Sequence, residues 1–115
     1  MWDSKPWDND VAADWFGKLM DQTNMPALVR KTLLLTNEDD VSGEHSPKLR
    51  AAAYCILTFG RVYVWPINDL DKDIQLAIFA LKKVLLDDEY CYSDEVTDQI
   101  EHEIEELERR LKKKP

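Results

Sequence analysis

The sequence has 115 residues, 44% hydrophobic and 33% charged, with a formal net charge of −8 at pH 7. That suits one domain with a single modest core and is too short for two. The acidic balance lacks the clustered Lys and Arg that nucleic acid or an anionic membrane surface requires, so neither is expected as a partner. No run approaches the roughly 18 uninterrupted apolar residues of a membrane span. Met1-Trp2-Asp3 opens on an acid with no apolar run behind it, so the expected compartment is the cytoplasm. Cys55 and Cys91 are accordingly expected as reduced thiols.

Three glycines and five prolines give little punctuation for a fold of many short strands. The expected fold class is all-α, a single compact bundle of about five helices spanning residues 1–115. Residues 1–9 are expected as an ordered aromatic N-terminal lid, and residues 93–114 as a long acidic C-terminal helix.

Asp8, Asn9 and Asp10 are all suited to cap a first helix. Val11, Ala12, Trp15, Phe16, Leu19 and Met20 then repeat at helical spacing as its inner face, with Asp14, Lys18 and Asp21 opposite. The helix is expected to end near Gln22. Asn24 caps a second helix with Pro26 in its first turn. Leu28, Val29, Leu33 and Leu34 form its inner face, with Arg30 and Lys31 outside. Asn37 to Glu44 reads as a polar loop with a turn at Ser42-Gly43, followed by His45 in the loop. Ser46-Pro47 opens a third helix as cap and first-turn proline. Leu49, Ala52, Ala53, Ile56 and Leu57 are its core face, and Gly60 closes it.

Arg61 to Pro66 has strand propensity but no partner strand, and Pro66 cuts it short. It reads as an extended connection whose Trp65 plugs the core. A fourth helix starts at Asp69 or Asp71, with Ile74, Ala77, Ile78, Leu81, Val84 and Leu85 as an apolar stripe. Ser93-Asp94-Glu95 opens the last helix, whose apolar seam is Val96, Ile100, Ile104, Leu107 and Leu111. Glu105 with Arg109, Glu106 with Arg110, and Glu108 with Lys112 stand at favourable i,i+4 spacing. So narrow a seam suits a helix laid across a bundle, or a homodimer contact through the C-terminal helix.

Two stretches are candidate functional surfaces. The first is the opening, where Trp2, Trp7, Asp8, Asn9, Asp10 and Asp14 form a candidate interaction patch of aromatics and acids. The second is the run from Asp87 to Glu108, with eleven acids and no Lys or Arg. Its helical part offers Asp94, Asp98, Glu101 and Glu105 as a secondary acidic face. In both stretches the plainer role is structural: carboxylates capping or flanking a helix start, and a solvated helix with dipole-matched ends.

Reactive chemistry is sparse. His45 and His102 lie at no ligand spacing from each other or from a cysteine. No Gly-x-Ser-x-Gly, P-loop or His-Glu-x-x-His occurs. Asp69-Leu70-Asp71-Lys72-Asp73 alternates like a calcium loop, but Ile74 replaces the glycine and Ala80 the bidentate acid. Catalytic, cofactor-binding and metal residues are therefore assigned to none, and no cofactor is expected.

The order Trp2-x-x-x-Pro6-Trp7-Asp8-Asn9-Asp10-x-Ala12-Ala13-Asp14-Trp15 resembles the opening of a bacterial family, domain of unknown function 4259. Members begin with a tryptophan, two spaced glycines, an aromatic, then Asp-Asn-Asp and an Ala-Ala-Asp-Trp-like helix. Trp2, Trp7, Asp8, Asn9, Asp10, Ala13, Asp14 and Trp15 match in register, whereas Asp3 and Lys5 replace the glycines. If those glycines serve a positive φ or a close approach, the opening loop of this chain is reshaped or differently used. Leu49-Arg50-Ala51-Ala52-Ala53 with Gly60, and Ser93-Asp94-Glu95, are similar to the family's alanine-rich helix and Ser-Glu turn. The resemblance implies a small bacterial helical domain and assigns no activity. By analogy with small acidic immunity proteins, the expected function is a non-enzymatic protein-binding module masking a basic partner. The alternative is a small metal- or ligand-binding protein or enzyme using the N-terminal aspartate cluster.

Overall fold

The computed structural model describes residues 10–37, 45–62 and 64–112. Trp2, Trp7, Asp8 and Asn9, the expected lid over 1–9, and the turn at Ser42-Gly43 lie outside the described residues. Among those described there are five α-helices and no strand: α1 Asp10–Gln22, α2 Met25–Leu33, α3 His45–Phe59, α4 Leu70–Val84 and α5 Asp94–Lys112. A 3-10 turn, Leu34–Asn37, continues α2. The fold is all-α, as the periodicity predicts. Among the described residues no helix is long and apolar enough to cross a membrane.

α4 lies at the centre, packed against α2, α3 and α5. Its buried stripe runs through Leu70, Ile74, Ala77, Ile78, Leu81 and Val84. α3 contributes Leu49, Ala52, Ala53 and Ile56, and α5 contributes Ile100, Ile104 and Leu107. The α5 seam is thus consumed inside the chain, which leaves only its other face for a second copy. Ser93 caps α5, its Oγ accepting from the Val96 N–H at 3.3 Å.

A buried carboxylate ties the core together. Asp73 is fully buried on the inner face of α4. It accepts two hydrogen bonds from Arg30 of α2, at 2.8 Å from Nε and 2.7 Å from Nη2. The Trp65 indole Nε1–H donates to Asp73 Oδ2 at 2.8 Å. Asp69, in the N-cap position of α4, makes no side-chain cap and lies 3.2 Å from the same guanidinium. Charge pairing and hydrogen bonding offset the desolvation of Asp73. The pairing also raises the Arg30 pKa, chiefly through its hydrogen bonds to Asp73.

Several expectations are corrected by this packing. Arg30 does not face outward but reaches back to Asp73, so α2 buries Pro26, Val29 and Leu33, and Leu28 and Leu34 are exposed. Trp15 and Val11 are not on an inner face, because α1 lies at the periphery and buries only Met20. Phe16 attaches the helix by packing on Phe59, with ring centroids 6.3 Å apart. Asn24 occupies the N-cap position of α2 without a side-chain cap. His45 is the first residue of α3 rather than a loop residue. Ser46 does not cap α3; it is buried and donates to Asp87 Oδ2 at 2.6 Å.

Trp65 plugs the core as expected, but the segment before it is folded into turns rather than extended. The Val64 and Trp65 N–H groups both donate to the Arg61 carbonyl at 3.0 Å. α3 ends at Gly60, whose N–H donates to the Ile56 carbonyl at 2.7 Å. Glycine is required there by space, since a Cβ would lie 2.4 Å from the Ile56 oxygen. Arg110 of α5 closes this helix end, donating to the Ile56 carbonyl at 3.1 Å, the Gly60 carbonyl at 3.2 Å, and the Leu57 carbonyl. The expected Glu106–Arg110 pair does not form, and Glu106 binds Arg109 at 2.6 Å instead. A cation at the negative end of α3 gains more than a surface pair offers. Burial and the neighbouring Arg61 push the Arg110 guanidinium down to about 10, still charged at neutral pH.

Two substitutions test this frame. Asp73→Ala leaves the Trp65 N–H without its acceptor and the Arg30 charge with only the half-exposed Asp69 beside it, and the loss should be about 3 kcal/mol in urea unfolding. Gly60→Ala forces the α3 end apart and should lose about 1–3 kcal/mol in the same measurement, with the Arg110 contacts weakened.

Candidate functional site

Of the opening patch, Asp10 and Asp14 are described. Asp10 is the first residue of α1 and Asp14 stands one turn on, both exposed. Trp15 follows at 60% exposure, edge-on to Phe16 with centroids 5.4 Å apart. Trp15 is therefore a surface aromatic beside exposed acids and not a core plug. The sequence missed this because a helical repeat marks a stripe without saying whether the helix is central or peripheral.

The acidic run divides into two sets. Asp87 and Glu103 are internal. Asp87 Oδ1 accepts from the Glu89 and Tyr90 N–H groups at 3.1 and 3.3 Å, while Oδ2 holds Ser46. This carboxylate therefore fixes the α4–α5 connection to the start of α3. Glu103 accepts from Arg50 of α3 at 3.3 and 2.9 Å, and from the Gln99 side chain at 3.2 Å. The Arg50 pKa is raised, first by its hydrogen bonds to Glu103. The signal was present in the sequence, since Glu103 stands three after Ile100 and four before Leu107, on the apolar side of α5.

The second set is the surface. Asp94, Asp98, Glu101 and Glu105 are all exposed and step by four, three and four along one face of α5. Glu95 is exposed beside them. Among the described residues, none of the five carboxylates joins an ion pair. Neighbours at i,i+3 and i,i+4 in such a row repel by about 0.2–0.5 kcal/mol each. Only those near the start of α5 recover some of that from the helix dipole.

Cys55 and Cys91 are half-buried, and burial is the leading cause that pushes both thiols up in pKa, so they are protonated at neutral pH. Among the described residues no three His, Cys, Asp or Glu side chains converge on a point that could hold a metal ion. The chain matches no family model, no curated protein and no solved structure.

The two sets of acids should separate in a stability measurement. Asp98→Asn, Glu101→Gln and Glu105→Gln should each move the unfolding free energy by no more than about 0.5 kcal/mol. Glu103→Ala should cost about 3 kcal/mol, because it strands the Arg50 charge that it pairs.

Proposed function

We propose that the protein is a non-enzymatic, immunity- or regulator-like binding module that masks a basic protein partner in the cytoplasm. The uncompensated acidic face of Asp94, Asp98, Glu101 and Glu105 carries this reading. Its carboxylates are held in a row by a rigid helix whose other side is locked into the core. Such a row steers a cationic surface into contact and sets register by charge complementarity. The half-exposed Trp15 on α1 supplies the kind of aromatic anchor that adds affinity to steering. The likeness of the opening to domain of unknown function 4259 belongs to the same proposal and adds no activity to it.

The test is capture from the native host at low and high salt. The native chain should retain a stoichiometric basic protein at low salt and release it at high salt. A chain carrying Asp94→Asn, Asp98→Asn, Glu101→Gln and Glu105→Gln should fail to retain it. Recovery of no partner, or equal recovery by both chains, overturns the proposal.

A further inference from the structure

A concave surface lies away from the α5 row. It is a trough of about 400 Å³ between α1 and the turn that follows α3. Among the described residues its lining is Gly17 and Asp21 of α1 with Val62, Val64, Trp65, Pro66 and Ile67. The volume falls within the roughly 300–1,000 Å³ of ligand clefts. Val62 and Ile67 are 46% and 57% exposed, so apolar surface faces water along the turn side. The floor is fixed, because Val64 and Trp65 are buried and the indole is tied to Asp73. The other wall is charged. Asp10, Asp14 and Asp21 are exposed and share one face of α1, with Gly17 between the last two; Lys18 stands exposed at the edge of that face, so the acids outnumber the cation three to one. Of the three acids Asp21 lines the trough, and steps of four and three from Asp10 through Asp14 to Gly17 put the other two on the same helix face, running on from it.

We infer that this trough is a docking site for a partner segment in which an apolar side chain is flanked by lysine or arginine. The apolar side chain enters between Gly17 and Ile67, and the flanking cations lie along Asp10, Asp14 and Asp21. Charge selects this occupant over a second copy of the chain. Self-association would bring the same row of acids onto another molecule of net charge −8. The inference rests on the proposed binding of a basic protein and assigns that protein a second point of attachment.

A short synthetic peptide alternating leucine and lysine, titrated into the isotopically labelled full chain, tests it by NMR. Saturating shifts are expected at Gly17, Asp21, Val62, Ile67 and the Trp65 indole, with none from a leucine–glutamate peptide. The double variant Asp14→Asn/Asp21→Asn should bind roughly threefold to tenfold more weakly, the size of two surface charge contacts. Ile67→Ser should abolish saturation. Shifts confined to residues 94–105 would overturn the trough and leave the acidic-row reading standing, whereas failed capture with an intact trough titration would do the reverse. Equal shifts from the glutamate peptide, or no shifts at all, would overturn the inference. So would the same resonances moving with Trp7→Ala alone or with protein concentration alone, which would assign the trough to the chain's own opening or to a second copy.

Discussion

The Asp73 carboxylate is the constraint on which the bundle depends. A charge on the inner face of the central helix is tolerable only with partners, and the partners come from two other places in the chain. Arg30 brings α2 against α4, and Trp65 brings the turn after α3 over the same point. With those three fixed, the apolar stripes of α2, α3 and α4 have one mutual arrangement. Directional bonds of this kind specify geometry more strictly than the apolar contacts around them, which would accept small shifts of register.

The same logic repeats at the periphery of the core. Glu103 with Arg50 joins α5 to α3, and Asp87 with Ser46 joins the α4–α5 connection to the start of α3. Arg110 closes the other end of α3 against backbone carbonyls. Each helix other than α1 is therefore held to another by at least one charged or polar group as well as by its apolar stripe. An acidic chain uses few of its acids this way. The rest stay on the surface: in α5 they fall in a row stepping by four, three and four, and in α1 Asp10, Asp14 and Asp21 share one face with Gly17 in the gap between the last two. Rows of like charge weaken a helix slightly and strengthen its field.

α1 differs from the other helices. It has one fully buried side chain, an aromatic contact through Phe16, and an exposed tryptophan. Its position leaves a trough against the turn at 61–67 instead of a sealed interface. Local stability is lowest where buried apolar contacts are fewest, and elements with that character are the ones available for binding. The surface features that support a binding role thus concentrate on the least buried helix and on the outward face of the last one.

Helix number, order and near-boundaries were legible in the sequence because apolar spacing and capping residues are local signals. Gln22, Asn24, Gly60, Asp69 and Ser93 each fell at or beside an observed end. The stripes of α3, α4 and α5 were readable for the same reason. The acidic row at 94, 98, 101 and 105 was readable too, since spacing on one helix is all it needs. What the sequence could not supply was the choice of partner across long separations. Arg30 meets Asp73, Arg50 meets Glu103 and Ser46 meets Asp87 only once four helices have packed. Nor could it separate Trp15 in water from Trp65 in the core. Both are tryptophans near apolar neighbours, and only the position of α1 at the edge and of Trp65 above Asp73 decides between them.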